Sequence, residues 1–205
     1  MKTIEEFDLH ASSIPAPTWS YLTSLEWIAA KENLALIGPA GTGKSHTLIA
    51  LGHAAVTAGH MLKYLTAADL IETLYRGLAD NTVGKTIEAL LRYDLLLVDE
   101  VGFAPLDDTG AQLLFRLVAA AYERRALGIA SHWSFEDWGR FLSEHTTAVS
   151  MLDRLLHHAP PWSPAASPTA CARPEPGQEG APPRADQREE WRLLLGHQRG
   201  PQLGY

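Results

Sequence analysis

The segment GPAGTGKS, Gly38 to Ser45, constrains this chain more than any other stretch. It satisfies the spacing G-x-x-x-x-G-K-[ST] and stands between an apolar run, NLALIG, and a helically patterned run, KSHTLIALGHAAVTAGH. A short apolar run bounded by Asn and Gly reads as a buried strand. Glycines permit a tight turn in which successive backbone N–H groups face inward and form a concave anion site. The helix that follows brings the positive end of its dipole to the same place. Gly38, Pro39, Ala40, Gly41, Thr42, Gly43, Lys44, Ser45 and His46 are therefore the expected phosphate- and nucleotide-binding residues. Lys44 would reach the β- and γ-phosphates of ATP, and Ser45 would place its hydroxyl on Mg²⁺.

A second element complements the first. LLLVDE, Leu95 to Glu100, is an apolar strand pattern that carries two acids to its end. Ligands of open α/β sheets bind at the carboxyl ends of the strands. Asp99 would hold Mg²⁺ there through its water shell, and Glu100 would polarise the attacking water. Transfer to a small molecule does not require the second acid, so the pair favours hydrolysis.

The remaining pattern alternates. Helical spacing runs over residues 18–31, 44–60, 67–80, 83–93, 108–125, 134–144 and 146–158, with Asp107 or Asp108 near the start of the fifth. Strands are expected at 33–38, 61–66, 94–100 and 126–131. Such alternation predicts a parallel sheet with helices on both faces, an α/β three-layer sandwich. Residues 1–17, with HASSIPAPTW, read as an extended lead-in, and residues 18–158 as the domain proper. Residues 159–205 are dominated by Pro, Ala, Gly, Arg and Glu and read as a disordered tail, apart from a helical pattern in ADQREEWRLLL.

Composition narrows the setting. A formal charge of −7 excludes a strongly basic nucleic-acid binder but not a local basic stripe. One cysteine, Cys171, excludes an internal disulfide and fits a reducing compartment. MKTIEEFDLH lacks a secretion signal's apolar run, and no stretch approaches the roughly 18 apolar residues of a membrane span. A soluble cytoplasmic protein with no membrane association is expected.

ENLALIGPAGTGKSHTLIALGHAA, TAADLIETL, YDLLLVDEVGFAPLD, GAQLLFRLVAAAYERR and DRLLHHA together resemble the IstB-like transposition helper ATPases over about residues 5–158. These are P-loop NTPases of the AAA+ class, encoded beside the transposase of certain bacterial insertion sequences and similar to the DnaC helicase loader. The resemblance implies an ATPase that assembles as an ATP-dependent oligomer on DNA and works with a transposase. Ser131 and His132 occupy the place of the family's sensor strand end, where Ser/Thr-Asn is usual; a polar contact to the γ-phosphate or a structural His against Trp133 are both open. Arg154 matches the arginine finger that would reach a neighbouring subunit's γ-phosphate in trans, the alternative being a pair with Asp153 or Glu144. Residues 70–93 resemble an insertion that lines DNA. Its cations Arg76, Lys85 and Arg92 would contact backbone phosphates, or else form a solvated face with Glu72, Asp80 and Glu88. A DnaC-like loader and a hydrolytically dead nucleotide-binding remnant are the rival readings.

Two departures from the family stand out. The family normally carries a helical N-terminal region before the segment aligned with TIEEFDL, and the sequence begins at that segment. After HHA, where family members continue into a GxSYR stretch of the C-terminal lid, this sequence has PPWSPAASPTACA. With a permitted codon choice, Ala166 to Ala172 shifted back by a single base reads Gly-Glu-Ser-Tyr-Arg-Met-Arg. A frameshift near Pro160 that truncates or replaces the lid is therefore expected, and the gene sequence decides it.

Overall fold

Four strands, β1 (Leu34–Ile37), β2 (Leu62–Thr66), β3 (Leu95–Val101) and β4 (Ala126–Ser131), form one parallel sheet in the order β1-β4-β3-β2. This computed structural model describes residues 2–9, 12, 14–142 and 150–155. The tail expected over 159–205, its shifted frame and the ends of the helix expected over 146–158 lie outside the described residues. Among those residues, no helix is long and apolar enough to cross a membrane.

Helices cover both faces of the sheet, as the alternation predicts. Successive strand side chains point to opposite faces. Leu96, Val98, Leu127 and Ile129 join the main core with Leu70 and Leu74 of α4 (Ala67–Ala79) and Leu113, Leu114 and Leu117 of α6 (Asp108–Ala121). Leu97 and Gly128 face the other way, toward Leu48 of α3 (Lys44–Thr57). A Cβ on Gly128 would stand 2.4 Å from Leu97 Cδ2, so glycine is what lets the side chains of α3 and β3 close over this central strand.

The helix starts follow local capping chemistry. The Thr66 hydroxyl accepts from Asp69 N at 3.1 Å and opens α4. Asp107, rather than Asp108, is the N-cap of α6, accepting from Gly110 N at 2.8 Å. Between them α5 (Val83–Leu90) packs back on α4, and a Cβ at Gly77 would lie 2.6 Å from Thr86 Oγ1.

Three stretches differ from their sequence patterns. The helical run over 18–31 is two helices, α1 (Ala16–Ser24) and α2 (Glu26–Ala29), because Leu25 turns left-handed at φ 62°. The fully buried Trp27 stabilises that break by donating its indole N–H to Leu22 O at 3.0 Å. The helix expected over 134–144 is a 3₁₀-helix, Phe135–Arg140. Three residues per turn stacks Phe135, Trp138 and Phe141 along one side, each successive pair of rings 5.3 Å apart. The lead-in is not a plain extended segment either. Phe7 N closes a turn onto Ile4 O at 3.2 Å, and the Phe7 ring stacks on Trp19 at 4.3 Å.

Candidate functional site

The site grows from the parallel register. Ile37, Ser131 and Val101 stand level across β1, β4 and β3, and Gly38 N donates to Ser131 O at 3.1 Å. The glycine loop that leaves β1 and the acids near the end of β3 therefore meet at one edge of the sheet, with the end of β4 between them.

Gly43 is the N-cap of α3 in the left-handed conformation, φ 83°, and no side chain caps the helix. The first backbone N–H groups of α3 are thus not taken up by a capping side chain, the condition for receiving an anion. Lys44 curls its ammonium onto the loop, donating to Pro39 O at 2.7 Å with Thr42 Oγ1 at 3.5 Å. A phosphate oxygen entering the loop would replace that carbonyl as its acceptor.

Asp99 is only 5% exposed, and both its carboxylate oxygens accept hydrogen bonds. Glu100 N donates to Oδ1 at 2.8 Å, and Tyr64 Oη on the adjacent β2 donates to Oδ2 at 2.7 Å. Burial first, then the Asp99 carboxylate, holds the Tyr64 phenol far above the ordinary tyrosine range, so it remains a donor. Glu100 sits in a β-bulge where β3 slips between Val98 and Val101, and its φ is 61°. A bulge re-aims the side chain that occupies it. Beyond it, the Trp133 indole donates to Gly102 O at 2.8 Å and ties the loop after β3 to the end of β4.

The donor set suits Mg²⁺. That ion uses one or two carboxylates together with substrate phosphates rather than an all-protein cage. Among the described residues no group of three or more His, Cys, Asp or Glu stands together to hold a metal. A buried Asp99, two residues before the Val101 that stands level with Ile37 and Ser131, together with Ser45 in the first turn of α3, fits the requirement.

The other expected residues divide. Ser131 is 1% exposed and its hydroxyl accepts from Trp133 N at 3.2 Å, so it shapes the strand end. His132 is exposed, follows the end of β4 directly and lies 4.9 Å from the Trp133 ring. His46 packs edge-on against Phe7 at 5.4 Å. Arg154 donates to Ser150 O at 3.0 Å and lies 5.0 Å over the Phe115 ring of α6, so within its own chain it serves the face opposite α3. Arg76 pairs with Glu72 on the same helix, and Glu88 pairs with Arg124, while Lys85 and Arg92 are exposed.

Sequence reasoning missed Tyr64, Phe7 and Trp19. Tyr64 becomes visible only once β2 is known to neighbour β3. Phe7 lies 3.8 Å from where a Gly43 Cβ would stand, and Trp19 backs it by ring stacking.

Both site histidines sit below the ordinary range of 6.5, His46 through burial and then Lys2, His132 through burial and then Lys44. The unfolded chain then binds more protons than the folded one at mildly acid pH. Their contribution to stability is present above about pH 6.5 and is lost as pH falls through their folded values. The thermal midpoint is expected to fall between about pH 6.5 and pH 5, and the His46→Gln/His132→Gln protein to fall less over that interval. Parallel pH curves for the two proteins would exclude this source.

A glycine loop capping a helix at the end of a parallel sheet, with an Asp-Glu pair near the end of a strand one removed from it, is a P-loop nucleotide-binding arrangement, and the fold is similar to that of AAA+ P-loop ATPases. Solved structures with this fold include DnaI (TM-score 0.62, 15% identity, 77% of this chain and 87% of that one) and the DnaC helicase loader (TM-score 0.56, 16%, 71% and 94%). The replication initiator DnaA bound to AMPPCP and single-stranded DNA is a third (TM-score 0.60, 21%, 73% and 47%). The chain belongs to the family described as IstB-like ATP binding protein, which matches residues 1–162. It is 36% identical over 160 residues to the insertion sequence IS21 ATP-binding protein of Pseudomonas aeruginosa, covering 78% of this chain and 60% of the relative. It is 35% identical over 159 residues to the IS5376 counterpart of Geobacillus stearothermophilus, covering 77% and 63%. The chain thus spans about three-fifths of the length of these curated relatives.

Proposed function

We propose that this chain binds ATP with Mg²⁺ and hydrolyses it as an AAA+ helper of DNA transposition in the cytoplasm. Residues 18–158 form its ATP-binding domain, which assembles into an ATP-dependent oligomer on DNA and assists a transposase. The observation that supports this reading is the level placement of Ile37, Ser131 and Val101, with Gly38 N bonded to Ser131 O, at the strand ends from which the phosphate loop leaves and near which the Asp-Glu pair lies. Family membership and relatives named for insertion sequences support the transposition role.

In this mechanism the loop amides and α3 hold the phosphates, and Lys44 leaves Pro39 O to neutralise charge on the β- and γ-phosphates. Ser45 and Asp99 would hold Mg²⁺, which when bound neutralises charge on the phosphate oxygens. Glu100 orients the attacking water. His132, next to the end of β4, contacts the γ-phosphate, and Ser131 keeps the strand end in place. Arg154 leaves Phe115 to complete a neighbouring subunit's site. Arg76, Lys85 and Arg92 contact DNA phosphates without reading sequence, so binding weakens as salt rises.

The test is ATP turnover with and without duplex DNA, beside a Lys44→Ala control. Turnover is expected, stimulated by DNA, and reduced at least about 10²-fold by the substitution. Turnover indifferent to Lys44→Ala would refute the site, and intact nucleotide binding without turnover would identify a dead remnant.

A further inference from the structure

The two donors on Asp99 are unequal in origin. The Glu100 N–H comes from the next peptide and is present in any conformation close to this bulge. The Tyr64 hydroxyl comes from a different strand, 35 positions earlier, and donates its hydrogen bond at 2.7 Å. Tyr64 pairs with Leu97 in the β2–β3 ladder, and alternation puts Asp99 next on the same face, within reach of the ring's far end. Donors on two different oxygens set both the rotation and the plane of a carboxylate, because each oxygen accepts only along its own lone-pair directions. With one donor alone the group could swing about its terminal torsion, which is broad for Asp.

We propose that Tyr64 is the positioning residue of the metal-binding carboxylate: its hydroxyl, fixed on β2, orients Asp99 for Mg²⁺–nucleotide and so sets how much Mg²⁺ the site needs. This rests on the proposed ATP site and adds to it a residue outside both sequence motifs. Tyr64 touches neither nucleotide nor water in this scheme and acts only through Asp99. Outer partners of a ligating carboxylate typically change metal affinity about 10–100-fold when removed.

The experiment measures equilibrium binding of a fluorescent ATP analogue to the full chain, first in EDTA and then across a Mg²⁺ titration. Tyr64→Phe keeps the ring and removes the hydroxyl. It is expected to bind the analogue in EDTA as the unsubstituted protein does, while the Mg²⁺ concentration giving half the Mg²⁺-dependent tightening rises about tenfold or more. A second protein carrying 3-fluorotyrosine at position 64 keeps the donor and the packing, and is expected to titrate at or below the Mg²⁺ concentration of the unsubstituted protein. Tyr64→Phe titrating within about twofold of it would overturn the inference, as would tighter Mg²⁺-dependent binding, which would mean the phenol competes with the metal. So would a fluorotyrosine protein that needs more Mg²⁺. An unsubstituted protein whose analogue binding ignores Mg²⁺ would overturn the reading of the site itself, and this inference with it.

Discussion

Glu100→Gln is expected to slow ATP turnover by about 10²–10⁴-fold while leaving nucleotide affinity within a few-fold of the unsubstituted protein. The amide matches the carboxylate in size but cannot draw a proton from water, so the chemical step should suffer and binding should not. Binding in this scheme depends on Lys44, Ser45, Asp99 and the loop amides, none of which the substitution touches. Glu100 also carries a backbone feature that can be separated from its chemistry. At φ 61° a residue with a Cβ is strained, and a non-glycine residue held there costs of order 1 kcal/mol. Glu100→Gly should therefore be equally slow but melt no lower than Glu100→Gln, because glycine relieves the strain as the side chain is lost. Phosphate release under saturating ATP and equilibrium nucleotide binding provide the measurements. Equal losses of binding and turnover would mean that the acid holds the nucleotide and does not orient water.

Asn33→Ala should be among the most destabilising single changes in this chain, by about 2–4 kcal/mol. Asn33 is 5% exposed and bridges three backbone groups far apart in sequence. Its Oδ1 accepts from Leu127 N at 3.1 Å at the start of β4, and its Nδ2 donates at 3.3 Å to both Arg154 O and Leu155 O in the helical segment 150–155. Truncation removes all three bonds and leaves buried polar groups of the main chain unsatisfied, which costs more than the bonds themselves contributed. A loss of this size lowers the thermal midpoint by about 5–15 °C for a domain of this length. Asn33→Asp discriminates the two ends of the bridge: the acceptor to Leu127 survives and both donors are lost, with a buried charge added. It should melt at least as low as the alanine variant. A midpoint for Asn33→Ala within about a degree of the original would show that water replaces the amide. The Nδ2 bond to Arg154 O ties the residue just before β1 to the backbone of Arg154, so a destabilised Asn33 variant should also lose whatever Arg154 does for a neighbouring subunit.

Much of the site could be read from the chain because its chemistry is local. GPAGTGKS needs only its own glycines and the following helix to form an anion cradle, and LLLVDE carries its acids to a strand end by its own apolar pattern. Thr66 and Asp107 cap helices through contacts three residues away, so the helix starts near 67 and 108 are local and legible in the chain. The misreadings have the opposite character. Leu25 turns left-handed in a run with helical spacing because Trp27 finds an acceptor in the preceding turn and a place in the core. Phe135, Trp138 and Phe141 suit an α-helix almost as well as a 3₁₀-helix, and packing between the rings chooses the latter.

The sequence by itself determined the phosphate loop, the acid pair and the alternation that makes a parallel sheet, since each depends on residues within one turn or one strand of each other. Only the tertiary structure decided that β4 lies between the loop strand and the acid strand, that Tyr64 reaches Asp99, and that Asn33 holds the backbone of Arg154. Those outcomes are set by which strands become neighbours and by burial shared among segments up to 122 positions apart. Strand order is a property of the whole packed core, and no local pattern encodes it.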